Sequence, residues 1–124
     1  MPRAFDYLYI AATIIFTVYG QLILKWRIAH YGAMPDGVLE KLKFLVSLLF
    51  DPAIFSGFAA AFLASLAWMA AMTKFDLNHA YPFMSLNFAV VLMLSAWLLS
   101  EPLTAQKALG LGLIMLGTMV AAQG

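Results

Sequence analysis

The sequence contains no cysteine, which excludes disulfides, thiolate metal sites and cysteine nucleophiles. Charged residues are also scarce, at 10% of 124 residues, whereas a typical soluble domain has about 25%. Seven Lys and Arg against six Asp and Glu leave a formal net charge of +1, too little to attract nucleic acid. We therefore predict no nucleic-acid partner, no metal and no cofactor.

Carboxylates are missing from the middle of every long apolar stretch. Asp6, Asp51, Asp76 and Glu101 all fall at the ends of such stretches or between them. A charge at the centre of a membrane helix costs about 2.5–3.5 kcal/mol on insertion scales and usually marks ion or proton coupling. The sequence lacks that feature.

Apolar residues, in contrast, make up 65% of the chain. A soluble domain of this length could not bury that much apolar surface. We therefore expect the bilayer to be the solvent and exclude a soluble enzyme. About 20 apolar residues carry a helix across the hydrocarbon core. The uncharged stretches predict an all-α integral membrane protein with a single domain over residues 1–124. Its four transmembrane helices are predicted at about 5–26, 52–73, 78–100 and 104–123.

Residues 36–50 have a different pattern, with leucines at helical spacing and Glu40 and Lys43 on another face. With Asp36 as its N-cap, this segment is predicted to be an amphipathic helix lying in the membrane interface. The alternative is an early, tilted start of the second transmembrane helix, broken at Asp51 and Pro52.

Tryptophans and basic residues indicate how the helices sit in the bilayer. Trp26, Trp68 and Trp97 fall near predicted helix ends, where indole rings favour the headgroup region, although Trp68 could instead line a substrate path. Basic residues favour the first and third loops by five to two, which predicts that the first loop is cytoplasmic and both termini are outside.

The first predicted transmembrane helix carries a polar stripe beside Gly20. Its members are Asp6, Thr13, Thr17, Gln21 and Lys25. At 100° per residue they share one face, which avoids lipid because unpaired polar groups there cost free energy. The stripe either packs against another helix or lines a translocation path. We favour the path, because Gln21 and Lys25 are larger and more polar than packing requires.

Further candidates lie at the membrane surface and in the third helix. Lys25 can snorkel to the phosphate level, either as an anchor or to bind a lipid phosphate. If Asn78 caps the third helix, Pro82 falls in its first turn. Asn87, deep in that helix, is either a lock between helices or a substrate contact. His79, near an end, is expected to be interfacial.

The fourth predicted helix has Gly110 and Gly117 seven residues apart, on nearly the same face, with Gly112 and Ala121 as further small residues. Small residues let helices approach closely, and a seven-residue interval suits a left-handed helix pair. Four helices are also too few to enclose a polar path comfortably. We therefore predict that Gly110 and Gly117 form a dimer interface.

These features resemble the drug/metabolite transporter superfamily, whose four-helix members are the small multidrug resistance proteins. Gly110 and Gly117 match that family's dimerising glycine heptad, and Tyr81 matches a substrate-site tyrosine. Thr17 stands where that family has its proton- and cation-binding glutamate, which argues against proton-coupled export of cations.

A closer resemblance is to the small subunits of the aminoarabinose–phosphoundecaprenol flippase and their EamA-like relatives. It covers essentially the whole chain. It is carried by residues 80–88, by Glu101 to Thr104 with Gly110, and by Gly20 and Gln21 with Lys25. It implies a multi-pass protein of the bacterial inner membrane that flips a polyprenyl-phosphate-linked sugar. The implied partners are that glycolipid, membrane lipid and a second small subunit, in a homodimer or heterodimer.

For such a flippase, Lys25 would meet the phosphate, and Glu101 would meet a sugar amine or serve a structural role before Pro102. The remaining candidate contacts to the substrate are Thr17, Gln21, Tyr81, Ser85 and Asn87. Without a buried carboxylate, flipping is expected to be uncoupled from protons. Two other functions stay open: an exporter of small organic cations or metabolites, and a non-transporting subunit that partners a membrane glycosyltransferase.

Overall fold

The computed structural model describes residues 3–124, and every regular element in that range is helical. The helices are α1 (Tyr7–Ile28), α2 (Val38–Leu48), α3 (Pro52–Met72), α4 (Leu77–Ala80), α5 (Leu86–Leu98) and α6 (Ala105–Ala122). Short 3-10 turns cover Ala4–Asp6, Ala29–Tyr31 and Tyr81–Ser85.

Four helical segments are long and apolar enough to cross a membrane. They are Ala4–Tyr31, Pro52–Met72, Leu77–Leu98 and Ala105–Ala122. The predicted all-α architecture with four transmembrane helices is therefore confirmed. Trp26 and Trp97 lie within a turn of the ends of α1 and α5, as predicted.

The surface helix α2 is shorter than the predicted segment and begins later. Gly37 occupies its N-cap position and Asp36 makes no capping hydrogen bond, so the capping role predicted for Asp36 is wrong. Asp36 lies one residue too early for its side chain to reach the first free amides. Leu48 is buried, whereas Leu39, Leu42 and the other apolar residues before it are exposed or only partly covered. An exposed apolar face is what an interfacial helix needs.

The third transmembrane segment is not one uniform α-helix. Asp76 holds the N-cap position and the helix begins at Leu77, so the capping role predicted for Asn78 is wrong. Pro82 consequently lies beyond the first turn, inside the 3-10 stretch Tyr81–Ser85. The helix tightens there because proline has no N–H to donate to the preceding turn.

The most extensive helix contact in the described chain joins α1 to α3. A Cβ atom on Gly20 would lie 3.1 Å from the carbonyl oxygen of Gly57, and a Cβ on Gly57 would lie 2.9 Å from Cγ2 of Ile23. Ala60 and Ala64 are also buried along α3. Small residues therefore let the two backbones touch, which is how membrane helices pack most closely.

We expect Gly20→Leu to destabilise the fold by about 1–3 kcal/mol, because the new side chain would have to displace the backbone of α3. Thermal or denaturant unfolding in detergent micelles measures this loss. Gly112→Leu is the matched control, since nothing lies within 4 Å of a Cβ built at Gly112. Equal stability of the two variants would contradict the crossing as described.

Candidate functional site

The polar stripe of α1 faces an open groove of about 550 Å³ between α1 and α3. One wall is made by Thr13, Thr17, Gly20, Gln21 and Leu24. The other wall belongs to α3 and consists mainly of small residues and aromatic rings: Gly57, Phe58, Ala61, Ala64, Ser65, Trp68 and Met69. The groove exists because the α3 wall carries small side chains next to the helix crossing.

The members of the stripe differ in what they can offer a ligand. Thr13 is buried, and its hydroxyl already donates to the Tyr9 carbonyl oxygen at 2.8 Å. Thr17 is half-buried and Gln21 is exposed, and both line the groove. Asp6 is outside the groove, where its carboxylate accepts from the Arg3 amide at 2.8 Å. Packing thus occupies one end of the stripe, and the other end remains accessible.

A second groove, of about 500 Å³, runs along the third transmembrane segment. Its lining residues are Trp68, Tyr81, Pro82, Met84, Ser85 and Asn87. The predicted candidates Tyr81, Ser85 and Asn87 are therefore brought together. Trp68 lines both grooves, so it joins this group to the polar stripe of α1. None of the residues that line these two grooves is acidic.

Ser85 lies in the second groove, but its hydroxyl is already engaged. Its Oγ donates to the Pro82 carbonyl oxygen at 2.7 Å and is hydrogen-bonded to the Thr118 hydroxyl of α6. Ser85 and Thr118 thus tie α6 to the proline turn. Thr118 was not predicted from the sequence, although a lone threonine in the apolar stretch of a helix is a signal for such a bond.

Lys25 and Glu101 meet at the end of α1. The Lys25 Nζ and a Glu101 carboxylate oxygen lie 3.9 Å apart, and their side chains are 65% and 42% exposed. The Glu101 amide also donates to the Ser95 carbonyl oxygen at 3.2 Å, which closes the end of α5. The backbone of Glu101 therefore has a structural role, whereas its side chain can exchange one partner for another. A long, exposed ion pair of this kind contributes little stability, so a ligand can separate its two side chains at a small cost in free energy.

The neighbouring cation, Arg27, is held much more firmly. Its Nε donates to Asp51 at 2.8 Å, and the Tyr31 hydroxyl donates to the same carboxylate oxygen. The other oxygen of Asp51 accepts from the amides of Ala53 and Ile54, so Asp51 is the N-cap of α3.

The Tyr31 hydrogen bond is the main cause of a lowered Asp51 pKa, about 2 against an ordinary value of 3.8. Burial of the carboxylate opposes this shift, while Arg27 and the two amides support it. Because Arg27 is already paired with Asp51, Lys25 is the more available cation at this end of α1.

The opposite end of the bundle is aromatic. The Tyr7 hydroxyl lies 3.0 Å from Nε2 of His79, and the imidazole stacks on Phe75 at 5.9 Å between ring centroids. Phe83 packs edge-on against both Tyr7 and His79. His79 thus lies near a helix end, as expected, within a packed cluster.

The glycines of α6 have open space in the described chain where a side chain would extend. A Cβ atom on Gly110 or Gly117 would meet nothing within 4 Å. Leu109, Leu113 and Leu116 on the same helix are exposed. The helix contacts the rest of the fold mainly through the proline turn and α5, so much of its surface is open to lipid or to another subunit.

Comparison with known proteins gives one family and several relatives. The EamA-like transporter family matches residues 7–123. The chain is 33% identical over 121 residues, 96% of its length, to the "Probable 4-amino-4-deoxy-L-arabinose-phosphoundecaprenol flippase subunit ArnF" of Aeromonas salmonicida, of which it covers 80%. It is 32% identical to the protein of the same name in Erwinia tasmaniensis, covering 91% of each chain.

A relative with a different subunit name is similar over nearly the same length. The chain is 26% identical over 111 residues to the "Probable 4-amino-4-deoxy-L-arabinose-phosphoundecaprenol flippase subunit ArnE" of Pseudomonas savastanoi, covering 90% of this chain and 91% of that protein. No solved structure gives a significant match.

The Asp51 cluster generates a prediction about pH. Since the folded pKa lies below the unfolded value, the ionised carboxylate stabilises the fold above about pH 4, and this contribution is lost as the pH falls towards 2. We expect Asp51→Asn to lower the thermal midpoint in detergent at pH 7, with the difference from wild type shrinking towards pH 2. The exposed Asp36→Asn is the control, and a difference that did not vary with pH would contradict this account.

Proposed function

The chain belongs to the EamA-like transporter family, and from this premise we propose that it is a subunit of a flippase for a polyprenyl-phosphate-linked aminosugar. It is a multi-pass membrane protein, and its relatives place it in the bacterial inner membrane. Its relatives are transporter subunits, and the proposed activity moves a lipid without changing its covalent bonds.

The observation that carries the proposal is the open groove between α1 and α3. A lipid-linked sugar needs a polar path for its headgroup and an opening to the side for its tail. Thr17 and Gln21 provide hydrogen-bonding groups along a groove that is not closed off by other helices. Hydroxyl and amide groups in such a groove replace the water that the sugar leaves behind.

Lys25 supplies a cation beside that path. It follows Gln21 by four residues, so the two side chains lie on the same side of α1, one turn apart. A phosphate arriving at this end would compete with Glu101 for Lys25, and a sugar amine would compete with Lys25 for Glu101. The exposed pair therefore offers complementary partners to a headgroup that carries both charges.

The tail has an apolar surface available next to this charged pair. A groove of about 360 Å³ lies close to Glu101 in the chain and is lined by Tyr19, Leu22, Ile23 and Trp26 of α1 together with Leu98 and Leu99. Isoprenoid and acyl chains favour such a surface equally, so it accommodates the tail without adding specificity.

We further propose that flipping is not coupled to protons. The acidic residues Asp6, Asp51, Asp76 and Glu101 lie at helix ends or in loops of the described chain, and Asp36 and Glu40 lie outside the four membrane-spanning segments. Transport then follows the concentration gradient of the glycolipid, which is maintained by its consumption on the far side. Drug-stimulated proton flux in proteoliposomes would instead favour export of small cations.

The direct test is flipping of a fluorescent polyprenyl-phosphate aminosugar in proteoliposomes that contain the chain with its partner subunit. Lys25→Ala should lower the initial rate about tenfold, since a charge-assisted bond to phosphate is worth about 1.5–3 kcal/mol. Gln21→Ala should lower it less. Lys74→Ala, an exposed lysine outside both grooves, should flip like wild type.

Two results would count against the proposal, provided that the variants keep their thermal midpoints. One is a Lys25→Ala protein that flips at the wild-type rate. The other is activity that appears only when a membrane glycosyltransferase is added, which would favour the role of a non-transporting subunit.

The second subunit is proposed to pack on the glycine face of α6. Gly110→Leu with Gly117→Leu should convert the oligomer into monomers in detergent, because two bulky side chains would separate the helices. Light scattering after size-exclusion chromatography measures the mass. Gly112→Leu, about 160° away around the helix from Gly110, is the control, and an unchanged oligomer in the double variant would refute this placement.

A further inference from the structure

We infer that Trp68, Tyr81 and Asn87 form a second binding position for the sugar, at the opposite end of the path from Lys25. This inference rests on the proposed flippase function and adds to it a site that recognises the sugar ring itself. Its three residues come from α3, the proline turn and α5, and they all line the second groove.

Trp68 is positioned to receive a headgroup that travels along α1. It is half-buried and lines both the α1–α3 groove and the groove beside the proline turn. Its ring lies edge-on to that of Tyr81 at 6.1 Å between centroids, and Tyr81 is 63% exposed. Two aromatic rings thus stand where the polar groove of α1 meets the second groove.

The distance from Lys25 follows from the helix geometry. The helices α1 and α3 are antiparallel, because Arg27 bonds Asp51 at one end while Tyr7 packs on Phe75 at the other. From the crossing of Gly20 and Gly57, Trp68 is 11 residues along α3, about 16 Å, and Lys25 is five residues the other way, about 8 Å.

The total separation of Lys25 and Trp68, about 24 Å, covers most of the roughly 30 Å hydrocarbon core. It is much longer than a monosaccharide joined to a phosphate. One headgroup therefore cannot touch both ends at once, and the two sites mark two successive positions in its crossing.

The chemistry of the aromatic pair suits a sugar. A pyranose or furanose ring has a face of C–H groups and a rim of hydroxyl and amine groups. The negative face of an indole or phenol ring attracts the C–H groups, and its apolar area is covered by the sugar. Neither contact needs a charge, in keeping with the absence of acidic residues from the lining of this groove.

Asn87 provides the independent observation. Its Oδ1 is buried and has no hydrogen-bond partner among the described residues, so within one chain it does not lock two helices together. A buried acceptor without a partner costs free energy. Because Asn87 lines the groove, rotation of its side-chain amide would turn this acceptor towards a bound sugar, whose hydroxyl or ammonium group would supply the missing donor.

The test uses proteoliposomes containing the chain with its partner subunit and two fluorescent probes, polyprenyl phosphate with and without the aminosugar. Trp68→Leu should slow flipping of the sugar-bearing lipid about five- to tenfold and leave the sugar-free lipid nearly unaffected. Trp68→Phe should restore part of the rate. Trp97→Leu is the matched control, since Trp97 is 76% exposed and lies outside both grooves.

The Asn87→Leu variant distinguishes a contact between Asn87 and the sugar from a structural role of Asn87. If Oδ1 is unpaired until the substrate donates to it, the variant should keep or raise the thermal midpoint while it slows flipping of the sugar-bearing lipid. A lower thermal midpoint, or the loss of the oligomer, would make Asn87 a lock between helices and overturn its assignment to the sugar site.

A binding measurement keeps this inference separate from the proposed function. In a W26F/W97F protein the remaining tryptophan is Trp68, and its emission should change with the sugar-bearing lipid but not with the sugar-free lipid. That result, together with a wild-type chain and partner subunit that flip neither lipid, would reject flipping and retain the sugar site. An emission that responds equally to both lipids, or to neither, would overturn the sugar site.

Discussion

The close crossing of α1 and α3 at Gly20 and Gly57 is the contact on which the other features depend. Without water to drive helices together, membrane helices associate through packing and hydrogen bonds, and small residues allow the shortest approach. The crossing holds the polar face of α1 against α3, where Ala61 and Ser65 are too small to fill the space beside it. The open groove is therefore a product of tight packing at one point and small side chains next to it.

The charges divide into one fixed set and one exchangeable pair. Asp51 accepts hydrogen bonds from Arg27, Tyr31 and two amides, so the start of α3 is tied to the end of α1. Lys25 and Glu101 are exposed and far apart for an ion pair. In the proposed flippase, a charged headgroup would bind at this end by separating only the weak pair, while the firm anchor keeps the helix termini in place.

A single chain would leave the proposed path incomplete. The grooves are open at the side, and α6 carries exposed leucines and two glycines, Gly110 and Gly117, where an added Cβ atom would meet nothing within 4 Å among the described residues. The relatives are named as flippase subunits, which supports the proposal that a second subunit encloses the path. The open grooves and the exposed surface of α6 thus favour assembly with another subunit, even though each transmembrane helix is long enough to cross the bilayer alone.

The sequence by itself determined the four transmembrane helices, the polar face of α1 and the placement of acidic residues at helix ends, because apolar length and helical period are local properties. The N-caps predicted at Asp36 and Asn78 were wrong because capping depends on where the backbone turns. Only the tertiary structure brought Gly57 to Gly20, Thr118 to Ser85 and Trp68 to both grooves. These contacts join residues far apart in the chain, and no pattern within one helix specifies which face of another it will meet.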